Sequence, residues 1–115
     1  MKIIMLFLLS TILLSNLSYA DEKQMAVATC MAGFAQSPQS WNSDFFIPKC
    51  KEIEKLPEAI CVAGFAKSER GWASTAFFEK CKEMLSEAEA RCVDGFARSP
   101  RNWNSKWFLA VCKKI

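Results

Sequence analysis

The feature that most constrains this chain is a segment written three times at a fixed period. Cys30 to Cys50 reads CMAGFAQSPQSWNSDFFIPKC, Cys61 to Cys81 reads CVAGFAKSERGWASTAFFEKC, and Cys92 to Cys112 reads CVDGFARSPRNWNSKWFLAVC, each copy 31 residues after the last. The shared pattern is C-x-x-G-F-A-x-S-x-x-x-W-x-S, followed by Phe and then Cys. A constant period without slippage marks a repeat architecture, in which each unit is one supersecondary element that buries its apolar face only by stacking on its neighbours.

Each period reads as two helices. In the first helix of unit one Val27, Cys30, Met31 and Phe34 fall at i, i+3, i+4 and i+7, a single helical stripe. Asp21 stands three before Gln24, and Ser86 three before Glu89, as in capping boxes. Pro57 followed by Glu58 suits a first helical turn. The first helices are expected to end near Gln36, Lys67 and Arg98. The connectors SPQS, SERG and SPRN follow, and Ser37, Ser68 and Ser99 are placed to cap what comes next. The second helix carries Trp41, Phe46 and Cys50, then Trp72, Phe77 and Cys81, then Trp103, Phe108 and Cys112. It starts either at the first Ser of each connector or at Ser43, Ser74 and Ser105. Pro48 predicts a kink or a late start in unit one. The expected fold is therefore all-α: six helices as three tandem αα-hairpins, in units of about 21–55, 56–85 and 86–115.

The start of the chain bears on compartment. Lys2 precedes an apolar run from Ile3 to Leu14, and Ser18 and Ala20 fit the small-residue positions of a signal-peptidase site. Polar residues at Ser10, Thr11, Ser15 and Asn16 break the run well short of the roughly 20 apolar residues a membrane span needs. Residues 1–20 are thus expected to be an export signal, with no stable span after cleavage. The remaining 95 residues would carry 14 basic and 12 acidic groups, a net charge of +2. So mild a balance demands neither nucleic acid nor an anionic membrane as partner. All six cysteines lie beyond the signal. An even count in a small exported chain reads as a disulfide framework, and points to the periplasm or the extracellular space.

Two pairings are compatible with the spacing. Within-unit bonds join Cys30–Cys50, Cys61–Cys81 and Cys92–Cys112, whose members are equally far from each hairpin tip. Bonds between units join Cys50–Cys61 and Cys81–Cys92. The second scheme strands Cys30 and Cys112 at opposite ends of the stack, further apart than the roughly 7 Å a disulfide spans. The ends therefore favour within-unit pairing.

Few residues suggest chemistry. The chain has no His, no C-x-x-C pair and no closely spaced metal-ligand set, so redox, zinc and other cofactor sites are not expected. Ser43, Ser74 and Ser105 have no base at fixed spacing and read as capping or turn residues. Glu52, Glu54, Glu79 and Glu83 interleave with lysines as solvated helix faces. No catalytic residue is assigned. Gly33, Gly64 and Gly95 recur inside a helix, where glycine costs about 1 kcal/mol against alanine; close helix approach explains them better than a ligand does. Trp41, Trp72 and Trp103 lie near the hairpin tips, joined by Trp107. They read either as plugs beneath the connectors, with the indole N–H bonded to backbone, or as an exposed aromatic row. Lys67, Arg70, Arg98, Arg101 and Lys106 share those tips, so the second reading makes one edge of the stack a basic, aromatic surface for another protein or an anionic envelope component.

The two-helix layout resembles tetratricopeptide and Sel1-like repeats in architecture alone. Their units are longer and their signatures differ, so no functional residue carries over. The functional expectation is an exported, non-enzymatic binding or structural module. The alternative is a secreted, membrane-active or growth-inhibiting cationic peptide.

Overall fold

The computed structural model describes residues 21–115, and among them the regular structure is helical throughout. The expected export signal over 1–20 lies outside the described residues. Helix α1 covers residues 21–35, α2 Ser43–Lys51, α3 Leu56–Lys67, α4 Ser74–Cys81, α5 Glu87–Arg98 and α6 Ser105–Lys113. These form the three hairpins α1–α2, α3–α4 and α5–α6.

Local chemistry sets the boundaries. Ser86 Oγ accepts from the Glu89 N–H at 3.1 Å, while Glu89 Oε1 accepts from the Leu85 N–H at 3.1 Å, so the α5 start is held from both sides. Pro57 lies in the first turn of α3. Asp21, expected as a cap, is itself helical. The second helices begin at Ser43, Ser74 and Ser105. Their caps are the preceding residues: Asn42 Oδ1 accepts from Asp44 N–H at 2.9 Å, and Asn104 Oδ1 from Trp107 N–H at 3.1 Å. Ala73 offers no such oxygen in unit two. Pro48 sits inside α2 without delaying it, since α2 starts in register with α4 and α6.

Each hairpin is closed on itself. Cys30–Cys50, Cys61–Cys81 and Cys92–Cys112 are bonded, with Cα atoms 5.5, 5.4 and 5.6 Å apart. Antiparallel helices bring residues equidistant from the tip level with one another, which is why the within-unit pairing forms. With partners separated by 20 positions in sequence, each bond contributes about 3 kcal/mol on a chain-entropy estimate.

The units stack through their first helices. α3 lies between α1 and α5, and Ala59 to Ala66 is buried without a break. A helix covered on two sides must be apolar nearly all round, and LPEAICVAGFAK is. The approach is closest at the repeated glycines. A Cβ on Gly33 would lie 2.5 Å from Ala63 Cα, and one on Gly64 would lie 2.8 Å from Asp94 Cα. What covers each glycine is thus the first helix of the next unit. No described helix packs over Gly95, and a Cβ there meets nothing within 4 Å.

Behind this contact runs a ladder of phenylalanines. Within units the rings stack in parallel: Phe34 on Phe46 at 4.8 Å, Phe65 on Phe77 at 5.5 Å and Phe96 on Phe108 at 5.4 Å. Between units they meet at a tilt, Phe34 with Phe77 at 6.2 Å and Phe65 with Phe108 at 6.1 Å. Six rings therefore connect all three hairpins into one core.

The glycine geometry makes one motif position behave in opposite ways. Gly33→Ala and Gly64→Ala are expected to cost about 1–3 kcal/mol through overpacking against backbone. Gly95→Ala is expected to gain up to about 1 kcal/mol from helix propensity. Urea unfolding of the three oxidised variants beside the parent checks the difference in sign.

Candidate functional site

The hairpin tips are built the same way three times. Ser37, Ser68 and Ser99 end the first helices, their N–H groups donating to Phe34, Phe65 and Phe96 O at 3.2–3.3 Å. Each hydroxyl then accepts twice. One donor is the backbone N–H two residues on, in Gln39, Arg70 and Arg101, at 3.0–3.1 Å. The other is the indole Nε1–H four residues on, in Trp41, Trp72 and Trp103, at 3.1–3.2 Å. Each indole meets the Phe of its own G-F-A edge-on, at 5.1, 5.2 and 5.4 Å. The G-F-A-x-S-x-x-x-W string is a clasp: the Ser turns the chain and holds the Trp, and the Trp covers the Phe. The indole partner expected from sequence was a backbone carbonyl. The structure uses the Ser hydroxyl, and the constant i,i+4 spacing of Ser and Trp was the available signal. Trp72 also donates to Ala97 O of the next unit at 3.2 Å.

Several residues of the expected basic edge are occupied inside this framework. The Arg70 guanidinium lies 3.9 Å over the Trp72 ring, and its Nη1 donates to Trp103 O at 3.0 Å. Gln39, at the same motif position one unit earlier, reaches different acceptors of the next tip, its Nε2 donating to Ser68 O and Arg70 O at 3.3 and 3.0 Å. These two side chains tie tip to tip. Arg98 is paired with Asp94 at 2.8 Å. Lys67 and Arg98 line one groove of about 430 Å³ together with Gln36 and Glu69; its charges are mixed.

The remaining candidates gather on unit three. Trp107 is 49% exposed. It stacks on Trp103 at 5.7 Å and meets Phe96 edge-on at 5.6 Å. Arg101 and Lys106 are exposed beside Trp103 and Trp107 in the chain. Phe96 is only partly buried, whereas its equivalents Phe34 and Phe65 are 2% exposed. The end of unit three is thus an aromatic surface with basic residues on the same unit, and it faces where a fourth unit would stand.

All six cysteines are in disulfides, so none offers a thiolate for redox or metal chemistry. The Glu58 carboxyl is perturbed. Glu58 lines a groove of about 350 Å³ between units one and two, with Phe45, Ile53, Phe78 and Lys82. Burial there pushes its pKa above the usual carboxylate range, partly offset by the Lys82 ammonium. Among the described residues no helix is long and apolar enough to cross a membrane. Three intramolecular disulfides are more typical of an oxidising or extracellular compartment than of a reducing one.

Comparison with known proteins returned no match: no protein family, no curated relative and no solved structure aligns significantly with this chain.

Ser68 is 1% exposed, so Ser68→Ala should leave the Arg70 N–H without its acceptor and Trp72 held by Ala97 alone. A loss of about 1–3 kcal/mol is expected, followed by tryptophan fluorescence through urea unfolding. The Glu58 shift has a definite sign. The native state holds that proton more tightly than the unfolded chain, whose carboxyl titrates near the ordinary value of about 4.3. Stability therefore falls as pH rises from that value through the raised native pKa, and is level above it. Glu58→Gln is expected to raise the melting temperature near neutrality and to leave it unchanged in the most acidic buffers. Thermal melts across that range check both halves.

Proposed function

We propose that the protein is an exported, non-enzymatic binding module of the periplasm or extracellular space, and that its contact surface is the uncovered end of unit three. The observation that carries this reading is the Trp107–Trp103–Phe96 cluster. Aromatic residues in contact, left half open on a small disulfide-stapled domain, are the usual anchors of protein interfaces, and cations beside them favour a partner with acidic groups. The repeat framework supports the same reading. The Ser–Trp clasps, Gly33, Gly64 and the disulfides are absorbed in building the stack, which leaves a rigid scaffold with one aromatic end. The partner in this reading is another protein.

The test uses the oxidised protein as an exporting host yields it, immobilised and exposed to that host's envelope extract and culture medium. Trp107→Ala combined with Arg101→Glu is expected to lose the captured partner by about ten-fold or more, with helix content and the disulfides intact. Glu52→Ala, on α2, is expected to capture as the parent does. Equal capture by the double variant would overturn the assignment of the surface. Specific catalytic turnover, or leakage of anionic vesicles by the oxidised protein, would overturn the reading as a whole, the latter in favour of a membrane-active peptide.

A further inference from the structure

The two ends of the stack carry the two halves of the contact that joins its units, and we infer that the partner of the unit-three end is the unit-one end of a second copy of this chain. This rests on reading the end of unit three as a contact surface, and it names the occupant.

The internal junctions supply the template. On the forward side of each junction the glycine and the following Phe receive the next unit. Gly33, Phe34, Gly64 and Phe65 are buried, while Gly95 is exposed and Phe96 partly so. The difference is the missing neighbour, because the local sequence G-F-A is the same in all three units. On the receiving side, Leu56, Ala59, Ala63 and Ala66 of α3 lie one helical stripe against unit one, with all three alanines buried. Ala90 and Ala97 are buried in the same way on α5. The equivalent stripe on α1 is Met25, Ala28, Ala32 and Ala35, and all four are exposed. Since α2 covers α1 as α4 covers α3, the hairpin itself does not bury this stripe; a preceding unit does.

Terminal units of repeat stacks ordinarily present a polar outer face in place of the interface residues. Unit one keeps the interface residues instead: Met25 stands for Leu56, and three alanines stand for three alanines. Unit three keeps the glycine, the Phe, the Trp and a cation. Arg101 occupies the position from which Arg70 reaches Trp103 O, and Trp103 the position from which Trp72 reaches Ala97 O. Across a joint between copies these donors meet Trp41 O and Ala35 O of the second copy, and Gly95 receives Ala32 as Gly33 receives Ala63. Trp107 follows Phe45, which packs on Phe78 of the next unit at 6.2 Å; its counterpart on the second copy is Ile47. Arg91, where unit two has Ile60, is the polar departure on this face, and its guanidinium is paired with Glu87.

Charge favours the same arrangement. Residues 21–55 hold four basic and five acidic groups, and residues 86–115 six basic and three acidic, so the end units carry −1 and +3. Unlike ends attract, and like ends at the unit-three face repel. A contact of this kind is heterologous: each molecule keeps one free end, and growth is open unless the rotation closes a ring.

The experiment is sedimentation of the oxidised protein over a concentration series into the millimolar range, with the parent and two blocked variants. Gly95→Leu blocks the unit-three end, and Ala32→Trp the unit-one end; both positions are exposed, so the single chain has room for each. The parent is expected to associate beyond a dimer, more weakly as salt rises. Each variant alone is expected to remain monomeric, and an equimolar mixture of the two to form a heterodimer that grows no further. A parent that stays monomeric throughout overturns the inference. So does association that survives Gly95→Leu, or a mixture that fails to pair. If the parent is monomeric and capture from the host extract still depends on Trp107 and Arg101, the binding surface stands and only its occupant changes. If that dependence is also missing, both readings fall.

Discussion

The architecture depends on how closely one first helix can approach the next. At Gly33 and Gly64 the missing side chain admits the backbone of Ala63 and Asp94 to within 3 Å of where a Cβ would be. Such a contact forfeits helix propensity, about 1 kcal/mol for each glycine. It is repaid by the packing it allows, because helices this close bring the Phe that follows each glycine into the rings of the next hairpin. The ladder from Phe46 through Phe34, Phe77, Phe65 and Phe108 to Phe96 exists only at that separation. Van der Waals contact of this density, rather than any one hydrogen bond, makes three hairpins behave as a single core.

The disulfides and the Ser–Trp clasps act on a different scale. Each belongs to one hairpin and fixes that hairpin's own geometry. The sulfur bridge ties the open end of the pair, and the clasp ties the tip. Cys30, Cys50, Cys61, Cys81 and Cys112 are fully buried, so the bridges also fill core volume. The links between tips, Gln39 to unit two and Arg70 to unit three, then hold neighbouring hairpins in register at the side away from the bridges. Much of the polar and aromatic inventory of the motif is consumed in this way. Among the described residues, what the repetition leaves uncovered lies on the two outer faces, the alanine stripe of α1 and the aromatic cluster of unit three.

The hairpin layout, the ends of the first helices and the sulfur pairing were legible because they follow from local rules, whereas the starts of the second helices stayed open between the first Ser of each connector and Ser43, Ser74 and Ser105. Helical periodicity, symmetric spacing about a tip and the reach of a disulfide are all properties of nearby residues. The G-F-A-x-S-x-x-x-W string was visible as a pattern, but the role of the Ser was not, since an i,i+4 side-chain bond across a turn requires the turn's geometry. The near-continuous apolar character of LPEAICVAGFAK, against the mixed faces of the segments around α1 and α5, was a readable sign that the middle helix is covered on both sides. Arg70 and Arg98 read as free cations because their partners, Trp103 O and Asp94, lie on another unit in one case and one helical turn back in the other.

By itself the sequence determined the number of units, their two-helix form and the bonds that close them, because each is decided within a window of about thirty residues by periodicity, capping and loop length. Only the tertiary structure decided which face of each hairpin meets the next, and hence that identical motif positions differ along the chain. Gly33 and Gly64 are buried and Gly95 is open; Ala32 is open and Ala63 is buried. Burial is a property of what stands beside a residue, and three copies of one string have different neighbours at the two ends of a stack.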